Sequence, residues 1–310
     1  MLKQINVGLI PAPIPFEGAE KKQGVFQNTT HIIGFEFDGT ACFRKGTKAG
    51  PNALRDVSDG IESYSPYLDA DLEDISFVDL GNLPIDLSLN VHSEQRDVKI
   101  AYDQANKAFN TLFDDISLKE NNIRILTLGG EHSISYAPIK KYLSDFPKLV
   151  ILHLDAHADL RDGYLGYHYS HACIIRRITE HFGEHHQLIQ YGIRSGTREE
   201  YQWMKDHQTL QKCRSDFLSR VEAIPNNTPI YLTLDLDYFD PSFFPGTGTP
   251  EPGGEDFHSL ISLCKILRAK YFVGCDVVEL SPEIDSTGNS DVFAAKVVRE
   301  LLLCLDQQSR

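Results

Sequence analysis

The segments Leu149-Val150-Ile151-Leu152-His153-Leu154 and Pro229-Ile230-Tyr231-Leu232-Thr233-Leu234 are apolar almost throughout. A strand with one wet face alternates polar and apolar residues, so near-continuous runs like these belong to strands buried on both faces, as in parallel sheets covered by helices. Similar strands are expected at residues 31–37 and 123–128 and near 187 and 271. Helices are expected near 133, 171, 199, 256 and 291, and a helical period runs from residue 91 to 114. This β-α alternation, with no internal repeat or linker, predicts one α/β domain over residues 1–310, with 1–27 as an N-terminal arm or pair of short turns. Pro51 takes the favoured first-turn position of a further helix. The glycines before it lack the spacing of a phosphate-binding loop.

The residues just past the apolar runs are more specific. One run leads into Asp155-Ala156-His157-Ala158-Asp159, another into Asp235-Leu236-Asp237, and a third into Gly129-Gly130-Glu131-His132-Ser133. Open α/β folds build their sites at the carboxyl ends of strands. If the chain stayed extended, Asp155, His157 and Asp159 would share a side, as would Asp235 and Asp237. A lone D-x-D is commonly a cap or turn, and a lone G-G-x-H a strand-to-helix turn. Their joint occurrence at three strand ends points instead to one site. Four carboxylates gathered without a cation would repel and take up protons, whereas two divalent ions match their four charges. An oxygen-rich set with imidazole and no thiolate suits two Mn²⁺ ions per subunit, with Ni²⁺, Co²⁺ and Fe²⁺ left open and zinc disfavoured.

These motifs, with Ser170-His171-Ala172, Asp240-Pro241 and Asp276-Val277-Val278-Glu279-Leu280-Ser281-Pro282, resemble those of the ureohydrolase family, which includes arginases and agmatinases. The resemblance covers most of the chain. It implies a three-layer α/β/α fold with a central, mostly parallel eight-stranded sheet, and a homotrimer or homohexamer. It also implies metal ligation by His132, Asp155, His157, Asp159, Asp235 and Asp237, with Asp155 and Asp235 bridging. By the same likeness Glu279 pairs with a substrate guanidinium, which a carboxylate can grip through two N–H bonds. His171 protonates the leaving amine or shuttles protons, a task suited to imidazole near neutral pH. The nucleophile is expected to be hydroxide made on the metals.

Within the family the likeness is greater to agmatinases, through Glu62-Ser63-Tyr64-Ser65-Pro66-Tyr67, Asp159-Leu160-Arg161 and the segment from Gly246 to Gly254 that contains Thr249. The stretch after the D-x-H-x-D is aromatic rather than Asn-rich, which favours a substrate without an α-carboxylate. The leading expectation is therefore hydrolysis of agmatine to putrescine and urea. Arg161 works against it, since a cation there could meet an acidic substrate. Guanidinobutyrase, arginase and formiminoglutamase activities are the alternatives, followed by a non-catalytic metal-binding paralogue. Thr249 is expected to contact the substrate.

The net charge of −14 argues against nucleic acid or an anionic membrane as partner and suits a cationic guanidino compound. The proline-broken start, with Pro11, Pro13 and Pro15, does not read as a secretory signal, and no apolar stretch is long enough to span a bilayer. Six scattered cysteines without a C-x-x-C pair read as reduced thiols in a cytoplasmic protein.

Overall fold

The computed structural model describes residues 1–2, 8–86 and 95–306. Seven strands form the central sheet: β1 (Thr30–Phe35), β4 (Phe77–Asn82), β5 (Arg124–Gly129), β6 (Val150–Leu154), β7 (Gln187–Tyr191), β8 (Pro229–Asp235) and β9 (Tyr271–Val278). A two-stranded hairpin, β2 (Tyr64–Ser65) with β3 (Ala70–Asp71), lies apart from it. The central order is β4-β1-β5-β9-β8-β6-β7, and every neighbouring pair is parallel. The hairpin, β4 and the helix α6 (Arg214–Glu222) are not expected from the sequence.

Successive residues of each central strand serve different layers, as a period of two requires. Ile32, Leu126, Leu152, Leu232 and Phe272 join one core cluster, with the helices α1 (Gly50–Asp56), α6, α7 (Phe257–Leu267) and α8 (Asn289–Leu305). Ile33, Ile125, Ile151, Tyr231 and Val273 join the other, with α2 (Gln95–Phe113), α3 (Tyr136–Asp145), α4 (Ile174–Thr179) and α5 (Arg198–Asp206). The fold is therefore the expected three-layer α/β/α, and the apolar runs are continuous because both faces are covered. The helical period expected from residue 91 is met by α2; residues 91–94 lie outside the described residues.

The expectation of eight strands is corrected to seven among the described residues. Beyond β7 the chain pairs in parallel at one position only, Gln190 with Leu210. There Gln190 N donates to Thr209 O at 2.9 Å and Gln211 N to Gln190 O at 2.8 Å. The segment then turns into α6, so a potential eighth strand ends after a single bridge.

At the opposite edge, β4 is closed by a polar knot. Arg55 of α1 is fully buried and grips the Asp79 carboxylate through Nε at 2.7 Å and Nη2 at 2.8 Å. Its Nη1 donates to Asn82 Oδ1 at 2.6 Å. The same carboxylate accepts the backbone N–H groups of Phe16 and Gly81, both at 2.9 Å. Phe16 is itself buried against this edge. Asp79 thus ties the segment before β1, the edge strand and α1 together. Truncating it strands a buried guanidinium, so Asp79→Ala is expected to cost about 3–5 kcal/mol, read as a lowered urea midpoint. The paired change Arg55→Met/Asp79→Leu should recover most of that loss, because it removes the orphaned charge.

Candidate metal centre

β5, β9, β8 and β6 are consecutive in the sheet, and their carboxyl ends carry His132, Glu279, Asp235 with Asp237, and Asp155 to Asp159 respectively. The adjacency explains why motifs far apart in sequence share one place. The local route differs from a continued strand. β6 stops at Leu154, and Asp155–Asp159 turn over the sheet edge, with Asp159 at φ 53°. Asp237 lies in the short 3₁₀ helix Leu236–Tyr238. The carboxylates converge through turns, not through the pleat. After β5, Gly130 lets the chain run against the next loop, since a Cβ there would stand 1.9 Å from Phe37 O. Gly130 O accepts Glu279 N at 2.9 Å, which sets the start of the His132 turn beside the end of β9.

Three of the four carboxylates have one oxygen held by a backbone amide and the other turned to the cluster. Asp155 Oδ1 accepts His157 N, Asp235 Oδ1 accepts Asp237 N at 2.9 Å, and Asp237 Oδ1 accepts Ala156 N at 3.0 Å. The second oxygens meet the imidazoles. His132 Nδ1 lies 3.0 Å from Asp155 Oδ2, 3.1 Å from Asp159 Oδ2 and 3.5 Å from Asp235 Oδ2. His157 Nδ1 lies 2.9 Å from Asp237 Oδ2 and 3.6 Å from Asp155 Oδ1. All six expected ligands are therefore gathered, in two groups with Asp155 common to both.

The tautomer of His132 tests whether cations fit. Thr233 Oγ1 donates to Asp276 Oδ1 at 2.7 Å, so it can only accept from His132 Nε2, 2.8 Å away. Nε2 then carries a proton, and Nδ1 faces three carboxylate oxygens, which against burial hold the ring well above the ordinary imidazole value and draw a second proton onto it when no other cation is there. Nδ1 is buried and has no neighbour other than those carboxylates to compensate it. Nδ1 thus needs either that proton or a metal cation between it and the oxygens, and the donor set of oxygen and imidazole is one divalent ions accept. Charge gives the same answer. Burial, with Asp155 next, pushes Asp159 up to about 7. Burial, then Asp237 and Asp155, drives Asp235 far above the carboxylate range. With protons as the only compensation, these groups could not stay ionised at neutral pH.

His153, a strand residue that the sequence motifs do not single out, stands behind this set. Gln190 Nε2 donates to its Nδ1 at 3.1 Å, leaving Nε2–H to donate to Asp155 Oδ2 at 2.8 Å. It lies two residues before Asp155, and that spacing is the one signal in the sequence that could have found it.

A cavity of about 210 Å³ opens over the cluster and is lined by Glu279, His171, Thr249, Arg161 and Tyr164 among others. The four further residues singled out in the sequence, Glu279, His171, Thr249 and Arg161, thus face the same space. Glu279 is nearly buried, and its Oε1 accepts His132 N at 2.8 Å. Its φ of 68° is unusual for a residue with a side chain and places it just past β9. Burial, then Glu131, holds its carboxyl well above the usual range. Thr249 Oγ1 is 3.4 Å from Asp237 Oδ2. Arg161 stacks over Tyr164 at 4.6 Å, with Nε 3.8 Å from Glu200 Oε2. Burial, then His157 and His132, lowers His171 to about 4, so the ring is neutral in the resting pocket.

The sequence matches the model of the arginase family over residues 28–304. An agmatinase of Bacillus subtilis is 35% identical over 277 residues, covering 88% of this chain and 90% of that protein. A guanidinobutyrase of Pseudomonas aeruginosa is 28% identical over 286 residues, covering 88% of this chain and 85% of its own. Among solved structures, the agmatine ureohydrolase of Thermoplasma volcanium superposes with a TM-score of 0.70 at 27% identity, covering 99% of this chain and 95% of that one. A paired His/Asp cluster at the carboxyl edge of a parallel sheet, and likeness over nearly the whole chain, leave one conclusion: the protein belongs to the arginase family and is a ureohydrolase, an enzyme that cleaves amidino C–N bonds.

Proposed function

We propose that the protein hydrolyses agmatine to putrescine and urea with two Mn²⁺ ions held by His132, Asp155, Asp159 and Asp235 on one side and His157, Asp155, Asp235 and Asp237 on the other. The observation that carries the reading is the buried Nδ1 of His132, held among the oxygens of Asp155, Asp159 and Asp235 with no other group to balance their charge. When bound, such ions supply a water acidic enough to act as nucleophile near neutral pH.

The side chains do the rest. Glu279 offers its carboxylate to the planar guanidinium, fixing the reacting carbon over the cluster and selecting for positive charge. Its backbone-anchored Oε1 limits how far it can swing. Thr249 lines the cavity on the Asp237 side, where it can hydrogen-bond an amidino nitrogen. His171 uses Nδ1 toward Thr40, 3.2 Å away, which leaves the Nε2 lone pair free to take up the proton that the attacking water gives up and pass it to the departing amine. Putrescine leaves as that amine, and urea carries the former guanidinium carbon.

A second reading has an observation of its own. Arg161 is loosely compensated by Glu200 and sits in the same cavity, so a substrate ending in a carboxylate, such as 4-guanidinobutyrate, could meet it there. The preference for agmatine rests on the acidic balance of the chain and on Glu279, with Tyr164 lining the wall as an apolar surface for the methylene chain. The same reading carries a cytoplasmic homotrimer or homohexamer, which light scattering on the purified protein checks.

Three outcomes are expected. After Mn²⁺ loading, kcat/KM should be higher for agmatine than for arginine or 4-guanidinobutyrate; the reverse order for 4-guanidinobutyrate would make Arg161 the carboxylate receptor. Asp155→Ala should lose bound manganese by elemental analysis and fall to background turnover, since both groups share that residue. His171→Ala should keep its manganese while kcat drops about 10²–10⁴-fold, the usual range for removing a general acid–base group. Full turnover in that variant across pH would take His171 out of the chemistry.

A further inference from the structure

Behind His171 the chain builds a buried polar connection that the reaction itself does not call for. Thr40 lies in the loop after β1 and Glu131 in the turn after β5, and both are buried. Glu131 Oε2 accepts Thr40 N at 2.7 Å, and its Oε1 receives both the Thr40 hydroxyl, in a very short contact, and Ser133 Oγ at 2.6 Å. Three donors converge on one carboxylate, the arrangement of an acceptor. On its other side Thr40 Oγ1 lies 3.2 Å from His171 Nδ1 and also accepts His171 N at 3.2 Å.

We propose that Thr40, anchored by Glu131, is a positioning residue that fixes His171 as its Nδ1–H tautomer and so keeps the Nε2 lone pair directed to the pocket. A hydroxyl has one proton to give. Once Thr40 spends it on Glu131, only lone pairs remain for His171, and Nδ1 must be the donor. Ser170 is the competitor. Its Oγ is 3.4 Å from the same Nδ1 and could donate to it, which would force the proton onto Nε2. The Thr40 contact is shorter, and it presents a lone pair that would oppose an unprotonated Nδ1. Two bonds from Thr40 Oγ1, to the ring and to the backbone N–H of the same residue, also fix where the ring stands. The logic is that of histidines whose second nitrogen is set by a neighbour.

The proposal rests on His171 moving protons in the pocket, and its test separates the two ideas. Neutron diffraction from crystals of the metal-loaded protein in D2O at about pH 8, well above the lowered His171 value, reads the tautomer with no reference to activity. Deuterium on His171 Nδ1, and between Thr40 and Glu131, is the expected result. Deuterium on Nε2 with Nδ1 bare overturns the proposal whatever His171→Ala does to turnover. In kinetics, Thr40→Val should lower kcat about 10- to 100-fold with bound manganese unchanged, the scale of outer-shell losses, and Thr40→Ser should restore most of it. Thr40→Val added to His171→Ala should cost nothing further, because it acts through that ring. Equal losses in the Val and Ser variants, an additive double variant, or a tautomer that flips in Ser170→Ala but not in Thr40→Val would each sink it.

Discussion

Four carboxylates crowded at the end of a fully buried sheet form the constraint to which the rest of this structure answers. Apart from their neighbours, Asp155, Asp159, Asp235 and Asp237 would sit in a low-dielectric layer with like charges close by, a situation in which carboxyl groups take up protons. The chain manages the geometry first. Backbone amides of His157, Asp237 and Ala156 each hold one oxygen of an Asp, so the remaining oxygens need little reorganisation to receive cations. A pair of divalent cations would meet the charge that remains, and Thr233 holds a His132 ring proton on the far side from the cluster.

The second layer of the site is a set of tautomer locks. Asp276 and Thr233 set His132, Gln190 sets His153, and Glu131 with Thr40 sets His171. Each lock is a chain of buried hydrogen bonds in which the direction of one proton fixes the next. Such networks rigidify a site when every member is satisfied. Positive φ angles at Asp159 and Glu279 add backbone strain at two of the functional positions. The Asp159 carbonyl helps hold its own turn, accepting Ile175 N at 3.0 Å and Arg176 N at 3.2 Å at the start of α4.

The far edge of the sheet obeys a related rule. An edge strand presents unpaired backbone groups, and here Ile10 pairs antiparallel with Asn82 while Asp79 and Arg55 bind the approach segment down. At the β7 edge the single Gln190–Leu210 bridge does the covering. Gln190 therefore serves twice, closing the sheet with its backbone and orienting His153 with its side chain. No helix among the described residues is long and apolar enough to cross a membrane.

The layer architecture and the convergence of six Asp and His side chains at one sheet edge were legible in the residues themselves. Apolar runs buried on two faces have one stable solution, a covered parallel sheet, and acidic or imidazole side chains placed just past such runs share its carboxyl edge whatever the exact strand order. The family resemblance added roles for Glu279 and His171. Tertiary structure alone decided that β9, late in the chain, inserts between β5 and β8 and brings Glu279 beside His132, and that the eighth strand shrinks to one bridge. It alone placed Thr40 against Glu131, 91 residues away in the chain, and paired Thr233 with His132 across 101. Those contacts leave no periodic trace in sequence, because a hydrogen bond between loops depends on where two backbones happen to cross, whereas burial of a strand imprints every residue along it.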